Sequence, residues 1–88
     1  MILDERKRRL GFRATHRGTR EADMIIGGFV ARHLAGWGEA EVAWAEALIA
    51  EPDVDIMAWA LGKASPPERL AGPLMAALMR LDYVERPR

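Results

Sequence analysis

The apolar residues Ala22, Ile25, Ile26, Phe29, Val30 and Leu34 recur at steps of three and four. That spacing lines one face of an α-helix and fits no strand, whose side chains alternate every second residue. The rest of the chain agrees. Val and Ile are scarce, alternation is absent, and Ala, Leu, Met, Glu and Arg dominate. These residues lose little side-chain freedom in a helix. With 88 residues, half of them hydrophobic, the chain has room for one small domain around a single core. The expected fold is all-α, a compact bundle of five short helices in one domain over residues 1–88.

Local signals place those helices. Asp4 is a good N-cap for a first helix to about Ala14, thin in apolar content and weakened by Gly11. A turn follows at His16-Arg17-Gly18, and Thr19 caps the second helix, with Glu21 and Asp23 at its positive end. Gly27-Gly28 interrupts this helix, which costs stability unless another surface comes close, and Gly36-Trp37-Gly38 ends it. The third helix is expected from about Glu39 to Ala50, stopped by Pro52. The fourth runs from Asp53 to Leu61, with Asp53 and Asp55 at its positive end and Gly62 as its stop. Ser65-Pro66-Pro67-Glu68 reads as a capping box that opens a fifth helix to about Asp82. Tyr83 to Arg88 is expected to be a loose tail from about residue 83.

Several chemistries find no support in the residues. The chain has no cysteine, which removes disulfides, thiolate zinc sites and thiol catalysis, and fits a reducing compartment. The apolar runs 24–26 and 74–79 fall far short of the ~20 residues that span a bilayer. The charged start lacks an apolar signal core, which argues against secretion. His16 and His33 have no second ligand at helical spacing, and Asp53 and Asp55 sit in no calcium loop, so no metal site is expected. Thr15, Thr19 and Ser65 are explained by turns and caps. Gly27-Gly28 lies within a helix, not in a phosphate loop between strand and helix. No catalytic or cofactor-binding residue is expected, and the chain does not read as an enzyme.

Charge adds a pattern. Thirteen basic and thirteen acidic residues cancel, which argues against coating nucleic acid by bulk attraction. The cancellation hides segregation: residues 1–20 sum to +5, 21–61 to −7 and 62–88 to +2. The simpler explanation is pairing between helix faces inside the fold, and the sharper one is a polarised surface that meets a partner in one orientation. The basic run Arg6-Lys7-Arg8-Arg9 has the same alternatives, a solvated face or a docking face. Trp44 and Trp59 fall at core positions. Trp37, between glycines, is either a lid over the core or exposed for a partner.

Arg17-Gly18-Thr19-Arg20-Glu21 gathers two arginines and a carboxylate at a tight turn and a helix start. By itself this is explained by an N-cap and a local Arg–Glu pair contributing about 0–1 kcal/mol. The segment also matches R-G-x-x-E at the end of a basic first helix. It is followed by Ala22-Asp23 and an apolar helix through Phe29, His33 and Leu34. A second block comprises Leu48-Ile49, Pro52-Asp53, Asp55-Ile56, Trp59 and Leu61-Gly62.

Together these blocks resemble the SdhE-type flavinylation factors, the succinate dehydrogenase assembly factor 2 family of mitochondria. The resemblance covers roughly residues 6–62, about two thirds of the chain. Gly11, Gly28 and Trp44 depart from the residues usual in that family. The resemblance implies a small five-helix protein that acts as an assembly chaperone. Such a protein binds the flavoprotein subunit of succinate dehydrogenase or fumarate reductase and promotes covalent attachment of FAD, without stably holding FAD itself. It implies that Arg17, Gly18 and Glu21 dock near the flavin site, with Arg20 and Asp23 completing the candidate set. In that role Arg17 would make a forked contact, and Glu21 would order an arginine or meet the partner. A monomer in the bacterial cytoplasm or mitochondrial matrix is expected, with no nucleic acid and no membrane insertion. The alternative is a small helical regulator of another protein or nucleic acid, of the antitoxin kind, motivated by the basic first helix.

Overall fold

The computed structural model describes residues 2–84. The described residues form five helices and no strand. Helix α1 is Leu3–Thr15. Helix α2 runs over 20–36. It begins as α-helix at Arg20–Ala22, widens to a π-turn at Asp23–Gly27, returns to α-helix at Gly28–His33 and closes as a 3-10 turn at Leu34–Gly36. Helix α3 is Glu39–Ile49, α4 is Asp53–Ala60 and α5 is Pro73–Arg80.

The stripe that predicts α2 is what the core is built on. Ala22, Ile26, Phe29 and Val30 are buried, and Ile25 and Leu34 pack against them partly covered. Leu10 and Ala14 of α1 join from one side. Val42, Ala45, Leu48 and Ile49 of α3 and Ile56, Trp59 and Ala60 of α4 also enter the core. The glycine pair does accommodate a close approach. A Cβ on Gly27 would stand 2.9 Å from the Ala14 carbonyl oxygen and 3.0 Å from the Thr15 Cα, so only glycine lets α1 and α2 cross this closely. The crossing coincides with the π-turn, in which the Gly28 amide reaches back to the Asp23 carbonyl.

Trp37 is the lid rather than an exposed anchor. It is buried, with its ring 5.8 Å from Phe29 and lying parallel to His33. Trp44 is half-buried, and its indole N–H donates to the Leu70 carbonyl at 2.9 Å. Gly62 terminates α4 as expected: at φ +73° it lets Lys63 N–H bond the Ala58 carbonyl and Gly62 N–H the Trp59 carbonyl.

Three expectations fail. Asp4 lies in the first turn of α1, and Ile2 occupies the cap position without a side-chain bond. The Ser65–Glu68 box does not open the last helix. Glu68–Leu70 forms only a 3-10 turn, and the helix starts at Pro73 after Gly72 at φ +133°. Pro73 is the cause. Proline lacks the N–H that a continuing helix needs and disfavours helical geometry in the residue before it, so it stands at a helix start. The tail does not begin at residue 83. Leu81 turns left-handed at φ 58°, which folds Tyr83 back onto the core. The Tyr83 hydroxyl donates to the Leu78 carbonyl at 2.8 Å, and its ring meets Phe29 edge-on at 5.2 Å. Burial, with Asp82 alongside, pushes the phenol up from its ordinary value. The tail expectation beyond residue 84 lies outside the described residues.

Candidate functional site

The turn between α1 and α2 carries the R-G-x-x-E residues, and its geometry follows from the elements on either side. Helix α1 ends where the Thr15 hydroxyl bonds back to the Gly11 carbonyl, and His16 is the first non-helical residue. Gly18, exposed, takes φ +107°, a left-handed conformation that side chains disfavour, with no atom within 4 Å of where a Cβ would stand. Thr19 then caps α2 as expected, its hydroxyl accepting the Ala22 amide at 3.2 Å.

The five candidate residues divide by what they touch. The Arg17 side chain, only 13% exposed, turns inward. Its Nε and Nη2 donate to Asp53 Oδ1 at 2.9 and 2.5 Å, and Nη2 also donates to the Ile49 carbonyl at 3.0 Å. The fork that the resemblance assigns to a partner is thus occupied at the α3–α4 corner. Asp23 is engaged as well: its Oδ1 accepts the Arg17 backbone N–H at 2.7 Å. Gly18, Arg20 and Glu21 are exposed. Neither Arg20 nor Glu21 forms an ion pair among the described residues, so the local Arg–Glu pair is replaced by Arg17–Asp53. Beside the turn, Phe12 is 63% exposed and stacks on His16 with ring centroids 3.9 Å apart. His16 Nδ1 lies 2.7 Å from the Phe12 carbonyl.

Part of the charge segregation closes the fold. Arg6 donates to Glu46 through Nε and Nη2, at 3.2 and 2.7 Å, and to Glu39 through Nη1, which ties α1 to α3. The Arg6 hydrogen bonds hold the Glu46 carboxyl below its ordinary value, with Arg13 and Arg9 adding to the effect. Arg69 pairs with Glu51 at 2.9 Å. Of the other cations in the basic segment, Lys7 is half-buried and donates to the Ala35 carbonyl at 3.3 Å, while Arg8, Arg9, Arg13 and Arg20 are exposed and without an ion pair among the described residues. At the turn between α1 and α2 the exposed cation Arg20 is followed directly by the exposed anion Glu21.

Asp53, which holds Arg17 at the turn, is the residue of this candidate site that reading the sequence missed. Its place at a helix start gave it an adequate local explanation, although it lies in the second block of resemblance. The Ile49 carbonyl is backbone and leaves no trace in side-chain pattern.

Comparison with known proteins shows the family of the chain. The model of the family described as flavinator of succinate dehydrogenase matches residues 8–82. The FAD assembly factor SdhE of Acetobacter pasteurianus is 36% identical over 84 residues, covering 96% of this chain and 77% of that protein. Mitochondrial succinate dehydrogenase assembly factor 2 of Candida glabrata is 37% identical over 70 residues, 76% of this chain and 46% of that one. The 2-B form of Drosophila persimilis is 38% identical over 69 residues, 75% and 44%. The chain thus spans less than half the length of these mitochondrial relatives and about three quarters of the bacterial one. With the family match running from α1 to the end of α5, the chain belongs to the family of flavinators of succinate dehydrogenase.

Proposed function

We propose that this protein is an assembly chaperone that docks on the flavoprotein subunit of succinate dehydrogenase, or of fumarate reductase, and promotes covalent attachment of FAD to that subunit. The observation that carries the reading is the Gly18–Glu21 turn, exposed in front and held from behind by Arg17, Asp23 and Asp53. A rigid polar projection suits insertion into a partner's cleft, because little conformational entropy remains to be lost on binding. Gly18 lets the backbone approach the partner closely, while Arg20 and Glu21 offer a donor fork and an acceptor side by side.

The contribution to the chemistry is orientation. Covalent flavinylation joins a flavoprotein side chain to the flavin, and holding nucleophile and flavin in alignment removes much of the entropic part of that barrier. The chain supplies no catalytic group to this reading and holds no FAD of its own. Its work is done as a monomer in one-to-one contact, in the bacterial cytoplasm or the mitochondrial matrix. No helix among the described residues is long and apolar enough to cross a membrane.

A pull-down from the protein's own cells tests the reading. The captured partner should be a single flavoprotein subunit whose denatured band shows covalent flavin fluorescence. Capture of no flavoprotein, with salt-dependent retention of nucleic acid instead, would favour the regulator alternative.

A further inference from the structure

We propose that Asp53 is a positioning residue for docking, and that Arg17 supports the turn from behind without meeting the partner. The proposal rests on the reading that Gly18–Glu21 faces a flavoprotein. Arg17 is pinned twice. Its amide is held by Asp23 of α2 and its guanidinium by Asp53 of α4 and the Ile49 carbonyl of α3. Three of its five N–H donors are consumed inside the chain, and its side chain is mostly covered. Asp53 is itself fixed at the first position of α4, behind Pro52. The next residue after Arg17 is Gly18, the most permissive in the segment. Releasing Arg17 therefore frees the whole turn to sample other conformations, and the partner must then reorder it on binding. The two blocks of sequence that mark the family meet in space at Arg17, which binds both Asp53 and the Ile49 carbonyl.

The test is a double-mutant cycle on affinity for the apo flavoprotein, using the full chain. Arg17→Ala and Asp53→Ala should each weaken binding by about tenfold. The double variant should be no weaker than either single variant, because both remove the same support. Asp53→Asn, which keeps an oxygen acceptor at the same place, should recover part of the loss, and it replaces Asp53→Ala in the cycle if the latter does not fold. If Arg17 loses much more than Asp53 and the double variant loses the product of the two, Arg17 touches the partner and the proposal is overturned. A second arm needs no partner. Amide hydrogen exchange at Arg17, Ala22 and Asp23, whose N–H groups are hydrogen-bonded within the turn, should quicken in both single variants of the free protein, while exchange in the interior of α3 keeps its wild-type rate. Should the wild type fail to bind any flavoprotein, the docking reading falls. The exchange arm then decides alone, and unchanged exchange at Arg17, Ala22 and Asp23 in Asp53→Ala overturns the positioning role.

Discussion

Arg6 and Arg17 both leave the basic end of the chain to meet carboxylates of the acidic segment, yet they hold different things. Arg6 lies within α1 and spans to Glu39 and Glu46 on α3, a contact between two helix faces. One of its partners, Glu39, is 74% exposed. Arg17 lies outside any helix and reaches Asp53 and a backbone carbonyl, more deeply covered and in a segment that has no helical hydrogen bonds of its own. The first bridge adds to an orientation that the apolar stripe already dictates. The second decides where an otherwise loose turn points. The same pair of ions therefore contributes to stability in one place and to shape in the other.

This contrast can be broken or sharpened experimentally. The largest effect is expected from Gly18→Arg. A side chain at φ +107° is strained by about 1 kcal/mol or more and stands where the partner surface must come. Flavoprotein affinity measured by calorimetry should fall by about 100-fold or more, into the range of interface hot spots, while the helical circular dichroism persists. Glu21→Ala comes next. Affinity should fall by about tenfold with the thermal midpoint unmoved, because Glu21 is exposed and has no ion pair among the described residues. A drop in thermal midpoint as large as that of a core variant would show that Glu21 belongs to the fold instead.

Arg6→Ala should behave in the opposite sense, lowering the thermal midpoint modestly and leaving affinity for the flavoprotein at the wild-type value. If it weakened docking as Arg17→Ala does, the division between the two bridges would collapse. The smallest effect is in acid. The folded Glu46 carboxyl lies below its usual value of 4.5, so its bridge stabilises the fold above the ordinary carboxylate range and is lost as pH falls through the lowered value. The stability difference between wild type and Arg6→Ala should therefore be full near neutral pH and shrink below about pH 4. A difference that grew on acidification would contradict the assigned direction.

How much of this was legible in the sequence depends on the range of the forces involved. The stripe Ala22–Leu34 announced α2 because burial of one helix face imposes its period directly on the residues. The turn at Gly18 and the cap at Thr19 were legible for a similar reason, since both are local conformational requirements. The start of α5 was misread because the Ser65–Glu68 signal is also local, and Pro73 overrode it five residues after Glu68. Tyr83 was misread because the left-handed Leu81 that returns it to Phe29 is a non-glycine residue, which sequence pattern gives no reason to expect there. At the candidate site the exposed residues Gly18, Arg20 and Glu21 stood out as a motif. The support behind them did not, because Arg17 and Asp53 are 36 residues apart and each had a sufficient explanation where it stood.

The central claim is that the exposed front of this turn serves covalent flavinylation of a partner. It is tested most directly by deleting the protein from its own cells and measuring covalent flavin fluorescence in the denatured flavoprotein subunit of succinate dehydrogenase. Loss of most of that fluorescence is predicted, with restoration by the wild type and by Arg6→Ala but not by Gly18→Arg. Undiminished covalent flavin in the deletion would contradict the account.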